Sequence, residues 1–195
     1  MSNEVIVCFP DLDETKKREA VEVFLDGFIH MFTFARTRAE LVRLFSVSFE
    51  ESLAYAYVTE NHVSGVLGLG TNTKRALKFD KQLCRELFGK TKGRIVYNLL
   101  HKLAEIPAVK KDTDLYIDYL ATGLQMRNKG IATKLLTFAC ELSQYRECYI
   151  EVLSKNISAI KLYQKLGFVM HKKRLSIFTL MRGIGYPIMM KKRIR

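Results

Sequence analysis

Proline is scarce in this 195-residue sequence: there are 3, alongside 11 glycines. So few backbone breakers argue against long disordered linkers. Cysteine is scarce too. The 4 present, Cys8, Cys84, Cys140 and Cys148, have apolar neighbours, and no two share C-x-x-C spacing. A disulfide framework is therefore not expected, and buried free thiols in a reducing cytosol are. His30, His62, His101 and His171 are isolated, which argues against a histidine-based metal site, and no metal is expected. No apolar run approaches the roughly 20 residues of a membrane span. Met1-Ser2-Asn3-Glu4 carries neither a basic leader nor a long apolar core, so no signal peptide is expected. The expectation is a cytoplasmic protein with no membrane partner. Internal repeats and low-complexity tracts are absent.

Acidic side chains are also in deficit, 20 against 32 Lys and Arg, for a net charge of +12. A basic surface attracts polyanions and raises their encounter rate, whether they are nucleic acid, anionic lipid or a nucleotide cofactor. The charge does not choose among these. Its clusters, Lys16-Lys17-Arg18, Lys90 to Arg94, Lys172-Lys173-Arg174 and Lys191-Lys192-Arg193, are spread along the chain and read first as solvated faces. What remains is ordinary for a globular protein: 48% hydrophobic and 27% charged residues. The length suits one domain over residues 1–195, able to bury on the order of 70% of its unfolded surface without a covalent staple.

Hydrophobic periodicity orders the elements. Val5–Phe9, ended by Pro10-Asp11, predicts a first strand. Asp13 then caps a helix in which Ala20, Phe24, Phe28 and Met31 or Phe32 recur at helical spacing. A second helix is predicted over Thr37–Val47. Leu53–Val58 and Val63–Leu69 read as a hairpin turning at Asn61-His62. Gly65, Gly68 and Gly70 weaken the second of these strands and suggest a bulge or a close approach. Thr71–Lys111 breaks the rhythm with two helical pieces, about Lys81–Phe88 and Gly93–Ala104, and reads as an insertion between two strands of one sheet. Leu115–Ala121 is a central strand, Lys129–Ser143 a helix, Cys148–Leu153 a strand, and Ser158–Leu166 a helix capped by Asn156 and stopped by Gly167. Phe168–Lys172 and Tyr186–Lys191 close the sheet through a connection that includes Gly183 and Gly185. The sum is an α/β fold with a mixed sheet.

The segment that carries chemistry is Arg127-Asn128-Lys129-Gly130-Ile131-Ala132. It is short, rich in Gly and cations, follows a strand and opens a helix. That layout aims several backbone N–H groups at one point, and a polyphosphate suits such a point. Two further stretches join it: Tyr119-Leu120-Ala121-Thr122 before it, and Asn156 to Phe168, with Ala159, Leu162, Tyr163, Lys165 and Gly167 between. In this order and at these spacings, Asp114–Phe168 resembles the GCN5-related N-acetyltransferases. Leu124 stands where that family often has Pro, and Ala132 replaces a frequent third Gly. The Thr71–Lys111 insertion is longer than the family's usual connection there.

The resemblance implies a single-domain fold with a twisted, mostly antiparallel sheet of six to seven strands flanked by helices, and a helical insertion between the third and fourth strands. It implies acetyl-CoA as cosubstrate and direct transfer to a primary amine, on a small molecule or a protein, in a ternary complex. The diphosphate is expected on the N–H groups of Asn128, Lys129, Gly130, Ile131, Ala132 and Thr133, with Arg127 and Lys129 adding charge. The pantetheine arm is expected along the backbone of Leu120, Ala121 and Thr122, where a bulge would open a slot beside the strand of Glu151, and against the Asn156 amide. Glu151 is the candidate general base, acting through water, and Tyr163 the candidate acid that protonates the departing sulfur. A backbone N–H near Thr122 is the candidate oxyanion donor. Each has a plainer alternative: a solvated Glu151, a packed Tyr163, and Asn156 as a cap alone. Asp118 and Tyr119 are placed to touch the acceptor. Phe24, Phe28, Phe32 and Phe34 read as core before they read as an acceptor pocket.

Other patterns fail. Gly89-Lys90-Thr91 lacks the first glycine and the preceding strand of a P-loop, Gly68-Leu69-Gly70 lacks a third glycine, and no serine elbow occurs. An acyl-enzyme on Cys140 or Cys148 has no histidine nearby in sequence. The rival reading is a non-catalytic module on the same fold that binds CoA or nucleic acid. A homodimer is left open.

Overall fold

A computed structural model describes residues 4–173 and 185–194. The Met1-Ser2-Asn3 terminus, Arg174 and the Gly183 part of the last connection lie outside the described residues. Seven strands form one sheet: β1 (Glu4–Cys8), β2 (Ala54–Thr59), β3 (His62–Gly70), β4 (Asp114–Thr122), β5 (Glu147–Leu153), β6 (Val169–Lys173) and β7 (Pro187–Arg193), in the order β1-β2-β3-β4-β5-β7-β6. All neighbours are antiparallel except β4 and β5, which run parallel. A parallel neighbour needs a crossover, and here α5 (Ile131–Glu141) supplies it. The other helices are α1 (Glu14–Phe28), α2 (Arg38–Phe45), α3 (Lys81–Phe88), α4 (Lys90–Ala104) and α6 (Ile157–Lys165). The pair α3–α4 fills the insertion between β3 and β4. Among the described residues no helix is long and apolar enough to cross a membrane.

Local chemistry sets the helix starts. The Asp13 carboxylate accepts from Lys16 N at 2.8 Å, Thr37 and Glu40 form a reciprocal box at the head of α2, and Asp80 accepts from Leu83 N at 2.6 Å. Thr37 is thus the cap of α2 rather than its first residue. The β2–β3 turn falls one residue earlier than the sequence suggests, at Glu60-Asn61, because both residues take positive φ (50° and 67°). The helix expected from Lys129 begins at Ile131 instead: Asn128 (φ 63°) and Gly130 (φ 79°) adopt left-handed backbone that no helix can include.

The sheet is covered on both sides. On one side, Phe24, Leu25, Leu44 and Phe45 from α1 and α2 share one buried cluster with Ala54, Ala56, Val66 and Ala121 of the sheet, which Val96 and Leu100 of α4 extend outward. Phe24 is nearly inaccessible, and Phe28, Phe32 and Phe34 pack around it and its neighbours, so these rings are core. On the other side, Leu135, Leu136 and Ala139 of α5 and Tyr163 of α6 bury against Leu67, Leu115, Ile117, Ile150 and Val152. Each fully buried Leu in these layers contributes about 1.5–3 kcal/mol. Cys84, Cys140 and Cys148 are buried free thiols, whereas Cys8 is half-exposed.

The insertion closes on itself through Gly93, where a Cβ would stand 2.3 Å from the Cys84 carbonyl oxygen and 2.6 Å from Arg85 Cα. Backbone cannot yield as a side chain can. Gly93→Ala is therefore expected to destabilise by about 1–3 kcal/mol. The urea midpoint should fall at an unchanged m-value, and an unshifted midpoint would contradict this packing.

Candidate active site

The centre of the molecule is a divergence of two strands. β4 and β5 pair from Asp114↔Glu147 to Ile117↔Ile150 and no further, although β4 continues to Thr122 and β5 to Leu153. The facing edges beyond that point have no ladder partner in each other. The bulge expected near Leu120 lies at Asp118: Gly68 pairs with Tyr119 and Leu69 with Ile117, leaving Asp118 unopposed. Ladder pairing of Leu120, Ala121 and Thr122 is with β3, through Leu67, Val66 and Gly65.

The start of α5 stands after this splayed strand. A short turn (Leu124–Met126) leads into Arg127, and the chain then twists through Asn128 and Gly130. No side chain caps the helix. Among the described residues, none of the backbone N–H groups from Asn128 to Thr133 donates to a protein acceptor; the first to do so is Lys134, to the Gly130 carbonyl at 3.0 Å. Gly130 faces open space, with nothing within 4 Å of where a Cβ would be. A run of unpaired donors at a helix start, with the positive end of the helix dipole behind it, is complementary to an anion. Arg127 and Lys129 are exposed, and among the described residues Lys129 Nζ reaches only the Met126 sulfur, at 3.5 Å.

Asn156 is the cap of α6. Its Oδ1 accepts from Ala159 N at 3.2 Å and from the Ser158 hydroxyl at 3.0 Å. Among the described residues its Nδ2 donates to no protein acceptor, so the capping role and a donor role use different atoms.

Glu151 and Tyr163 occupy opposite faces of the sheet. Ile150 and Val152 point into the α5–α6 layer, which leaves Glu151 between them on the other face, exposed and in register with Met189 of β7. Tyr163 lies in the α5–α6 layer, 7% exposed, with its ring 6.0 Å from that of Phe168. Burial pushes its hydroxyl up to about 12, so it stays protonated at neutral pH. Cys140 and Cys148 are buried in the α5–β5 layer, and Cys148 belongs to the paired half, opposite Leu115.

Two expectations about the acceptor do not hold. Tyr119 is 4% exposed and packs edge-on against Phe24 and Phe49, and the Asp118 carboxylate is occupied by Arg75 and the Ala76 N–H. Neither side chain is presented to a substrate. Arg75 was not expected at all. It lies 43 residues from Asp118 in sequence, and nothing in Lys74-Arg75-Ala76 marks it.

The sequence matches the acetyltransferase (GNAT) family over residues 24–168. The chain belongs to that family. No curated protein matches the GNAT sequence closely enough to count. Among solved structures, an N-acetyltransferase from Staphylococcus aureus Mu50 superposes with a TM-score of 0.64 at 17% identity, covering 96% of this chain and 100% of that one. The ribosomal-protein-S18-alanine N-acetyltransferase from Escherichia coli gives 0.57 at 13% identity, over 98% and 94%. Ard1 from Thermoplasma volcanium gives 0.57 at 14%, over 98% of both chains. At such identities these likenesses establish the GNAT fold and leave the acceptor undetermined.

The capping role of Asn156 and a proposed donor role toward the cofactor can be separated by substitution. Asn156→Ala removes the cap and is expected to lower stability by about 0.5–2 kcal/mol, whereas Asn156→Asp keeps an acceptor oxygen and should nearly preserve it. Both remove the Nδ2 donor, so both should weaken CoA binding by about 3- to 10-fold, the worth of one hydrogen bond. Calorimetry with CoA beside thermal melts checks this; full affinity in both variants would reduce Asn156 to a cap.

Proposed function

We propose that the protein is an N-acetyltransferase that transfers acetyl from acetyl-CoA to a primary amine by direct attack in a ternary complex. Membership of the family supports acyl transfer. The observation that carries the cofactor reading is the unpaired N–H run from Asn128 to Thr133, placed after a strand that has parted from its neighbour.

Acetyl-CoA supplies an activated acyl group on a diphosphate-bearing carrier. The N–H groups of Asn128, Lys129, Gly130, Ile131, Ala132 and Thr133 hold the diphosphate, and Arg127 and Lys129 add long-range attraction. The backbone of Leu120, Ala121 and Thr122 and the Asn156 amide hold the pantetheine arm. Glu151 takes the proton that the attacking amine must lose, through water. A backbone N–H near Thr122 stabilises charge on the acyl oxygen. Tyr163 gives its proton to sulfur as the carbon–nitrogen bond forms and the carbon–sulfur bond breaks, and is reprotonated from solvent. The products are an N-acetyl amine and free CoA thiol.

Placement on opposite faces supports this division of labour. A base on one face and an acid on the other allow amine and thiol to meet the acyl carbon from two sides of one slot. Tyr163 keeps its proton to about pH 12, so it is in the donor form throughout the working range.

The decisive measurement is thiol release from acetyl-CoA with a panel of primary amines. Tyr163→Phe is expected to lower kcat by about 10²- to 10⁴-fold, the usual share of a positioned acid, with the Kd for CoA unchanged. Equal rates would remove Tyr163 from the mechanism. CoA binding without thiol release on any amine would favour a non-catalytic binding module, and absence of CoA binding would end the reading.

A further inference from the structure

Asp118 combines two discontinuities. It is the bulged residue opposite β3, and it is the first residue at which β4 leaves β5. Its carboxylate turns toward the insertion, where Oδ1 accepts from Arg75 Nε and Oδ2 accepts from Ala76 N at 2.6 Å. Arg75 in turn donates from Nη1 to the Ile106 carbonyl at 2.7 Å and lies 4.9 Å over the Tyr116 ring. One carboxylate and one guanidinium therefore fasten both the first and the last segments of the insertion to the point of divergence. The two side chains are only 4% and 8% exposed.

The neighbouring strand is shaped for this pair. A Cβ at Gly70 would stand 3.0 Å from Asp118 Oδ1 and 3.1 Å from Arg75 Cδ, and a Cβ at Gly68 would overlap the Tyr119 ring. The glycines that weaken β3 thus leave room for the bulge and its partner.

We propose that Arg75 and Asp118 are positioning residues, which tie the insertion to the bulge of β4 and so fix the parted edge from Leu120 to Thr122 along which the pantetheine arm binds. This rests on the acetyl-CoA reading above.

Energetics favour a geometric role over a merely stabilising one. Burial raises Asp118 to about 6 in spite of the attraction of Arg75. A carboxyl whose folded value exceeds its unfolded value of about 3.9 contributes stability below that unfolded value, and the contribution is lost as pH rises through the folded one. At neutral pH the ionised carboxylate therefore opposes folding relative to its protonated form. Buried ion pairs often do not stabilise, and a role in specifying geometry is the best attested reason for keeping one.

The test is calorimetry with CoA at pH 8 on wild type, Asp118→Asn and Arg75→Lys, with urea unfolding of the same proteins. Asp118→Asn is expected to weaken CoA about tenfold, the worth of one or two misaligned hydrogen bonds, and to lower the urea midpoint as well, because the buried Arg75 charge loses its counter-ion; the loss of affinity should exceed what the unfolded fraction explains. Arg75→Lys keeps the charge but not the fork, and should also weaken CoA. A second arm needs no variant to fold. Dephospho-CoA, which lacks the 3′-phosphate, should lose affinity for the wild type as pH falls from 7 to 5, because protonated Asp118 releases its hold. The groups facing Asp118 are Arg75 from the insertion and Tyr119 from β4. Burial drives Tyr119 well up and out of that window. Asp118→Asn should show no such loss beyond that of the unfolded fraction. Wild-type-like affinity in both variants, or affinity that falls only in step with stability, would overturn the assignment. Failure of wild type itself to bind CoA would overturn the functional reading and this role with it.

Discussion

The parallel pairing of β4 with β5, and its termination after four residue pairs, is the constraint from which the rest of the site follows. A strand that stays paired to its end offers no backbone donors or acceptors to a ligand. Here β4 and β5 run together only from Asp114 to Ile117, then separate, and the chain beyond turns into the uncapped start of α5. The same crossover that makes the pairing parallel also places a helix N-terminus after the opening. The opening and the helix start thus form one continuous path complementary to an extended polar arm with an anionic end.

The opening is held by its outer neighbours. β4 is paired with β3 through Thr122, and β5 is paired with β7 over its whole length, from Glu147↔Arg193 to Leu153↔Pro187. Neither strand can swing back to close the gap without breaking the ladder on its other side. A slot built into the ladder need not be ordered when a ligand arrives, and that saving shows directly as affinity. The bulge at Asp118 adds twist at the point of separation, as an unopposed residue does.

Local patterns were legible in the sequence to the extent that their causes were local. The caps at Asp13 and Asn156, the glycine-rich turn at residues 127–130 and the strand at Cys148–Leu153 all depend on a few adjacent residues, and the structure places them within a residue or two. Positive φ at Asn128 moved the start of α5 two residues later than periodicity suggested, because hydrophobic spacing carries no information about backbone handedness. The bulge was expected near Leu120 and lies at Asp118, since pairing with β3 across the insertion decides it. Asp118 and Tyr119 looked available to an acceptor by proximity alone. Their burial depends on Arg75, Phe24 and Phe49, which only the tertiary fold brings to them.

The insertion explains why proximity misled. A longer connection between β3 and β4 would ordinarily be free to move, since its helices contact each other more than the sheet. Instead its two ends converge on Arg75, and its last segment lays Ala108 and Val109 against Tyr116, Tyr149 and Met189, on the face that carries Glu151. The wall beside the proposed base is thus made from the part of the chain that differs most in length from the family pattern. Residues that hold the cofactor answer to a ligand of fixed chemistry and stay recognisable from sequence. On the proposed reading, with Glu151 as the base, the Ala108-Val109 segment stands on the acceptor's side of the sheet, opposite the α5–α6 layer.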